Sequence, residues 1–400
     1  MVGLPTSKVK CTGCGACVNI CPQKAISLTD GKSFFEYPQI NQDLCIDCTL
    51  CIKTCPSNKD IKSTYPKKAY AAISKDKKDR DSSATGGASS VFVNTILELN
   101  GVIYGCKEIN YKNVIHTRIE NVNESHLIKG SKYVQSFTGN TYSQVKEDLN
   151  RGKLVLFTGT PCQIAGLKSF LHKDYPKLIL VEIICFGIVP SCYLSDHIDY
   201  LCKKHSIDNN NLQVYFRQKG ETTADLKYGT FLFRNSELIK AFYSPDDGYH
   251  FGFRQGYFLR ENCFNCRYSK HERCSDITIG DFWGLGKNSM LNKYRNVSVL
   301  LLNTVKGEKL FEMTKIKFIN EERPLSEAFK NPHFNRPAQK PKGWDKIRRD
   351  YHKHGYEYIF KNYIIPEIRR YKYTIMIKQL LGRITSALHK ALRISRFAII

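Results

Sequence analysis

From residue 88 onward the hydrophobic positions alternate between helical and extended periods. Val91, Phe92, Thr95 and Leu99 recur at helical spacing, so 88–99 is predicted as a helix that stops at Asn100-Gly101. Residues 102–107 read as a strand, and 142–149 as a helix ending near Gly152. The apolar runs 153–157 and 178–184 have the look of buried strands, with a helix over 161–171 between them and another over 191–205. Strand, helix, strand with both strands buried predicts α/β architecture. From Gln213 to Phe242 the pattern turns to strands and turns, which makes the second half more α+β. Upstream, 74–90 is charged and then small and polar, a linker running into a glycine loop.

The first 60 residues are built on cysteine instead. C-x2-C-x2-C-x3-C-P occurs at Cys11, Cys14, Cys17, Cys21 and Pro22, then at Cys45, Cys48, Cys51, Cys55 and Pro56, each cysteine repeating at an offset of 34. This is the ligand run of a two-cluster bacterial ferredoxin, in which the fourth cysteine of each run reaches the other cluster. One [4Fe–4S] cluster is expected on Cys11, Cys14, Cys17 and Cys55, and the second on Cys45, Cys48, Cys51 and Cys21. Gly13 and Gly15 let the first loop turn tightly, whereas Asp47 and Thr49 make the second stiffer. A zinc site would want two close pairs, and disulfides do not suit the expected compartment.

That compartment is the cytoplasm. Residues 1–10 contain no apolar stretch of the signal-peptide kind, and no run of about 18 uncharged apolar residues occurs. Sixteen cysteines without an export signal point to metal or redox use. Cys106, Cys192 and Cys202 lack partner spacing and read as small buried hydrophobes. The formal charge is +24, and residues 341–400 alone hold 14 Lys+Arg against 4 Asp+Glu. No nucleic-acid-binding signature accompanies that charge, so anionic lipid or an acidic redox partner fits it better than nucleic acid.

Three middle segments carry more than a core requires. Leu154 to Leu167 reads strand, glycine turn, then Pro161 at a first helical position, which sets a helix N-terminus at a loop mouth suited to phosphate or reduced flavin. Ser82 to Ser89 also opens onto a helix, and Lys132 within 130–136 offers a point charge. Further on come Cys185-Phe-Gly-Ile-Val-Pro-Ser191, Cys263-Phe-Asn-Cys-Arg-Tyr268 and Ser275-Asp-Ile-Thr-Ile-Gly-Asp-Phe-Trp-Gly284. In this order the segments resemble the beta subunit family of coenzyme F-420 hydrogenases and dehydrogenases, in the form with an N-terminal two-[4Fe–4S] ferredoxin domain.

The resemblance covers about residues 1–340 and implies an FAD-dependent iron–sulfur oxidoreductase. It implies Thr85, Gly86, Gly87, Lys132, Thr158, Gly159, Thr160 and Gln163 as the FAD-binding residues. Two departures stand out: Ala84-Thr85 replaces the usual serine pair before the glycines, and Phe186 replaces the histidine of the family's C-H-G-V-P-S. Some relatives are associated with exopolysaccharide synthesis, so membership does not name the substrate. The alternative is a non-catalytic electron-transfer subunit serving a partner enzyme.

Cys263, Cys266 and Cys274 supply three ligands and need a fourth. Because relatives carry a cluster in this domain, a third [4Fe–4S] cluster completed by Cys185 is expected, with Cys162 as the alternative; a zinc site using His271 is a second reading. Asp276 and Asp281 either orient a ligating loop or flavin edge, or belong to a plain turn and strand. In the tail, Ile377, Leu381, Ile384, Leu388, Ala391 and Leu392 share a helical face opposite Arg383, Lys390 and Arg393. That basic amphipathic helix suits an anionic membrane surface or packs on its own domain.

The expected fold class is thus α/β with mixed α+β character. Residues 1–64 form a two-cluster ferredoxin domain, 68–150 the first part of a flavin-binding region, 151–340 its second part with the third cluster, and 341–400 a basic helical tail. The expected partners are a redox protein or a small-molecule electron donor or acceptor, plus peripheral contact with a membrane through the tail.

Overall fold

The structure is a computed structural model that describes residues 10–29, 34–219, 226–294 and 296–397. The cysteine repeat folds as a repeat. An antiparallel hairpin pairs β1 (Ile26–Thr29) with β2 (Phe34–Ile40), and two one-turn helices, α1 (Ala16–Ile20) and α2 (Leu50–Thr54), start at equivalent places in the two runs. Gly13 and Gly15 take left-handed φ values of 68° and 80°. The second loop takes the same shape with φ of 49° at Asp47 and 62° at Thr49. A β-branched residue such as Thr49 is strained there.

The main body is one eight-stranded sheet. Its strands are β3 (Lys68–Ser74), β4 (Val102–Asn110), β5 (Asn113–Ile119), β6 (Val155–Gly159) and β7 (Leu178–Ile183), then, after the small sheet below, β11 (Ile277–Asp281), β12 (Ser298–Leu302) and β13 (Phe318–Arg323). A second sheet joins β8 (Gln213–Lys219), β9 (Leu226–Arg234) and β10 (Glu237–Tyr243). The large sheet has the order β13-β3-β12-β11-β7-β6-β4-β5. Strands β4, β6, β7 and β11 run parallel, and antiparallel strands extend both edges. Parallel strands need covering on both faces, and alternation along the strands supplies two cores. Ile103, Leu156, Ile179 and Ile277 point to one face, with Val91, Phe92 and Phe311 packed on it. Val102, Tyr104, Val155, Phe157 and Leu180 point to the other, with Tyr142, Val145, Ile164 and Leu167.

The covering helices are α3 (Lys77–Ser82), α4 (Ala88–Glu98), α5 (Thr141–Asn150), α6 (Pro161–Leu171), α7 (Ser191–His205), α8 (Gly248–Arg254), α9 (Val305–Thr314), α10 (Leu325–Ala328), α11 (Trp344–Ile359) and α12 (Ile365–Phe397). Those predicted over 88–99, 142–149, 161–171 and 191–205 are present within a residue or so of their expected ends. The small antiparallel sheet, order β10-β9-β8, shares a third core with α7, α8 and α11. The mixed α/β class and the ferredoxin-like unit are as expected.

The ferredoxin unit is embedded in the sheet domain. Cys14 and Ala16 are part of the core under α5 and α6. The Cys14 carbonyl accepts hydrogen bonds from Tyr142 Oη at 2.7 Å and Thr138 Oγ1 at 3.3 Å, and Asn19 Nδ2 donates to the Gly139 carbonyl at 2.7 Å. Gly166 of α6 makes this approach possible, since a Cβ there would lie 2.9 Å from both Cβ and Sγ of Cys14. No helix among the described residues is long and apolar enough to cross a membrane. Beyond Leu381 the side chains of the tail helix, apart from Thr385, fall outside the described set, so most of the predicted apolar and basic stripe lies there.

Candidate functional site

The structure brings cysteines of the two runs together. Cys17 neighbours Cys14, Cys11, Cys55 and Cys51, while Cys51 neighbours Cys48 and Cys21. The first set is the inner one, with Cys14 buried; Cys48 of the second set is exposed.

A third group of cysteines surrounds a small pocket next to the first set. Cys162 stands in the first turn of α6, Cys185 follows β7, and Cys263 and Cys266 lie on a 3-10 turn and just after it; all four line the pocket. Cys185 and Cys162, taken from sequence as alternatives, are therefore both present. Cys274 is not. Its thiol is turned into the sheet core, donating to Glu182 Oε2 at 3.3 Å and to the Pro161 carbonyl at 3.4 Å. Cys274, expected as a ligand, instead lies outside this pocket against Glu182 and Arg273, a buried ion pair. His271, considered as a zinc ligand, stacks on Phe329 and bonds Asn335 Oδ1 at 2.8 Å. Among the described residues no three His, Cys, Asp or Glu side chains converge closely enough to hold a single metal ion.

Burial pushes the Cys14, Cys162 and Cys263 thiols up to about 12 and also raises Cys185 well above the ordinary thiol value, with Cys263 and Cys162 adding to the effect. As thiolates these groups need a cation among them. An iron–sulfur cube is one group that could supply that charge, since its corners suit thiolates spread around a pocket.

Beside the small pocket lies a cavity of about 670 Å3, within the usual range for a cofactor site. Cys162 and Cys185 line both spaces, as do Thr12 and Phe186. Of the residues expected to bind a cofactor, Thr85, Gly87, Lys132, Thr158, Gly159, Thr160 and Gln163 line this cavity. Gly86 does not. It packs on β3, where an added Cβ would meet the Ala72 carbonyl at 2.7 Å, and its N–H donates to Ser298 Oγ at 3.1 Å.

Both α4 and α6 start at the cavity with the positive end of the helix dipole toward it. Helix α4 has no side-chain cap, whereas at α6 Pro161 lacks an N–H and the capping box uses those of Thr160 and Gln163, leaving that of Cys162. Gln163 turns back on the loop. Its Oε1 accepts from the Thr160 N–H at 3.0 Å, while its Nε2 donates to Ser136 Oγ at 3.0 Å. The Ser136 hydroxyl donates to His116 Nδ1 at 3.0 Å, and His116 Nε2 donates to the Thr158 carbonyl at 3.0 Å. Because a carbonyl can only accept, the tautomer of His116 is fixed. Burial lowers its pKa to about 4, so the ring is neutral at ordinary pH.

Several wall residues carried no motif. Arg217 pairs with Asp281 at 3.0 Å, donates to Tyr133 Oη at 2.6 Å and reaches the Ala84 carbonyl at 3.3 Å, so Asp281 fastens the 83–87 loop through Arg217 and Thr85. Asp276 has a different task, accepting the Leu180 N–H at 2.8 Å inside the sheet. His250 Nδ1 is buried in the cavity wall with no hydrogen-bond partner among the described residues. His333 packs 5.0 Å from Phe186, which places an imidazole beside the position where Phe186 replaces the family histidine. Arg217 comes from β8, His250 from α8 and His333 from the loop after α10, and the spacing of these three in the chain gives no sign of it.

The cysteine repeat and this fold define an iron–sulfur electron-transfer protein of the oxidoreductase type. Residues 10–59 match the family described as 4Fe-4S dicluster domain, and residues 152–327 match the C terminus of the Coenzyme F420 hydrogenase/dehydrogenase beta subunit. The chain thus joins an N-terminal dicluster domain to a region matching the C terminus of that beta subunit, the order expected from the motifs. A Porphyra purpurea protein described as an uncharacterized protein in the rpl9-rpl11 intergenic region is 40% identical over 50 residues, 12% of this chain and 67% of that one. A chain of the xenon-derivatized F420-reducing [NiFe] hydrogenase complex from Methanosarcina barkeri is similar with 14% identity and a TM-score of 0.43, covering 72% of this chain and 94% of that chain.

Proposed function

We propose that this chain is an iron–sulfur flavoprotein oxidoreductase that passes electrons between [4Fe–4S] clusters and FAD. The observation that carries this reading is the shared wall: Cys162 and Cys185 line both the four-cysteine pocket and the large cavity. Clusters are assigned to Cys11, Cys14, Cys17 and Cys55, to Cys45, Cys48, Cys51 and Cys21, and to Cys162, Cys185, Cys263 and Cys266. FAD is assigned to the cavity, where it would supply the exchange between single electrons and a hydride pair that side chains cannot perform.

The chain's own residues prepare that cavity. Lys132, held by its bond to the Lys129 carbonyl at 2.7 Å, brings positive charge to the wall. The uncapped start of α4 and the Cys162 N–H of α6 offer donors for phosphate, and His250 Nδ1 offers an unused polar atom. Phe186 and Phe253, in edge-on contact at 5.5 Å, present an apolar surface that excludes water.

A second reading, an electron-transfer subunit serving a partner enzyme, is favoured by one feature. The exposed Cys48 is accompanied by exposed Leu44, Ile46 and Leu50, a surface on which a redox protein would dock. Separately, Tyr373, Met376, Ile377, Leu380 and Leu381 are exposed on α12, and we propose that this helix contacts an anionic membrane surface.

Anaerobic purification followed by iron and flavin analysis tests the main reading. Three clusters require about 12 iron per chain, four for each. Cys162→Ala or Cys185→Ala should lose a third of the iron, whereas Cys274→Ala should keep all of it. Finding about 8 iron in the parent chain, or iron loss only in Cys274→Ala, would remove the third cluster from this pocket.

A further inference from the structure

Arg260 is among the largest side chains fully removed from solvent, and it is a cation. Other shielded arginines sit against carboxylates, among them Arg217 on Asp281, Arg273 on Glu182 and Arg323 on Glu321. Arg260 meets no carboxylate among the described residues. Its Nε donates to the Cys11 carbonyl at 3.0 Å, its Nη1 to Gln135 Oε1 at 3.1 Å, and its Nη2 faces Cys11 Sγ at 3.6 Å. The guanidinium also lies 4.7 Å from the centre of the Tyr37 ring. A buried charge is costly unless an opposite charge compensates it. Here the candidates for that charge are cysteine sulfurs.

The backbone of Arg260 belongs to the other side of the junction. Its N–H donates to the Ile188 carbonyl at 2.9 Å, and its own carbonyl accepts from the Cys263 N–H at 2.9 Å. Arg260 thus lines the four-cysteine pocket while its side chain crosses to the Cys11–Gly13 loop. Gly13 leaves the space for that crossing, because a Cβ there would come within 3.0 Å of the guanidinium carbon and 2.6 Å of Gln135 Nε2.

We propose that Arg260 is a positioning residue that couples the first ferredoxin site to the third cysteine pocket and acts as the shared counter-charge for the thiolate-bound clusters on both sides. This rests on the cluster assignment proposed above. Hydrogen bonds to cluster sulfurs and local net charge set reduction potentials. Each one-electron reduction adds one negative charge, with the electron drawn from the reductant, so a fixed cation touching a ligating sulfur favours the reduced form. Its removal should lower the potential of the cluster held by Cys11 most.

The test is a redox titration followed by electron paramagnetic resonance on the full chain, iron- and sulfide-loaded, comparing the parent with Arg260→Gln and Arg260→Lys. Iron content and the number of titrating components report on the cluster assignment itself. The position of each component reports on Arg260. We expect Arg260→Gln to make reduction of one component at least tenfold less favourable, about 59 mV for a single electron, and Arg260→Lys to recover at least part of that shift. Unchanged potentials at full iron content overturn the proposal. If Arg260→Gln fails to hold iron, Arg260→Lys decides: retention of iron supports a charge requirement, and equal loss overturns it.

Discussion

Gly166 allows the packing of the ferredoxin unit on the sheet domain to be tested with one methyl group. The glycine has ordinary helical geometry inside α6, so alanine is allowed by the backbone and should help the helix by about 1 kcal/mol. Against that gain, the new Cβ would sit 2.9 Å from Cβ and Sγ of Cys14 and 3.0 Å from Tyr142 Oη. None of these atoms can swing aside. Cys14 is core-buried, its carbonyl is tied to Tyr142 Oη at 2.7 Å, and Tyr142 is tied again to the Gln163 carbonyl at 2.9 Å. Relief requires the Cys14 loop to move by roughly half an ångström, and overpacking of this kind costs about 1–3 kcal/mol. The net expectation for Gly166→Ala is a loss of up to about 2 kcal/mol, with the opposite sign to a glycine on a free helix face. Denaturant unfolding of the iron-loaded chain, with iron release to a chelator followed in parallel, reads both consequences. Iron should leave the variant at lower denaturant than the parent. A variant more stable than the parent, with unchanged iron release, refutes the packing described here.

Further tests address other parts of the molecule. Lys132→Ala should weaken FAD binding about tenfold or more, the scale of a charged hydrogen bond, as read by flavin release on dilution; full retention would move the flavin elsewhere. Glu182→Gln should cost about 3–5 kcal/mol by leaving Arg273 buried without a charge partner, measured by denaturant midpoint. His116 is held neutral by burial, so its pKa of about 4 lies below the unfolded value and its contribution is complete above pH ~6.5 and lost as pH falls toward 4. Up to about 3 kcal/mol is involved, and His116→Gln should flatten the decline in melting temperature across that window relative to the parent. The intact chain should sediment with anionic vesicles and be released by salt, whereas a chain ending at Pro366 should not bind; equal binding of both removes the membrane role of the tail.

Much of this organisation is legible in the residues. The offset of 34 gives the paired cysteine runs, and hydrophobic period alone marks the central strands and helices, because parallel strands covered on both faces must be continuously apolar. The cavity loops are legible wherever a strand runs into a glycine turn and a helix. What the spacing cannot show is which way a side chain turns once the chain has folded. Cys274 sits in the same cysteine-rich segment as Cys263 and Cys266, yet Glu182, from a distant strand, captures its thiol. Gly86 and Gly87 are neighbours, but only Gly87 faces the cavity. Arg260, His250 and His333 stand outside any motif and gain meaning only where the sheet order brings three remote segments together.

The burial of Cys14 and Ala16 beneath α5 and α6 bears on how the protein is made. Once that contact closes, Cys14 is walled off by Tyr142, Thr138 and α6, while Cys11, Cys17 and Cys55 stay partly accessible. On the cluster assignment proposed above, iron and sulfide would reach Cys14 most readily before residues 10–59 dock on the sheet domain. The Cys162, Cys185, Cys263 and Cys266 pocket is gathered from three stretches of chain and cannot exist until residue 266 has been synthesised and folded against β7. On the proposed assignment, cluster insertion would be ordered in time, the ferredoxin unit first and that pocket last. Repair at Cys14 would likewise be easiest with the unit undocked.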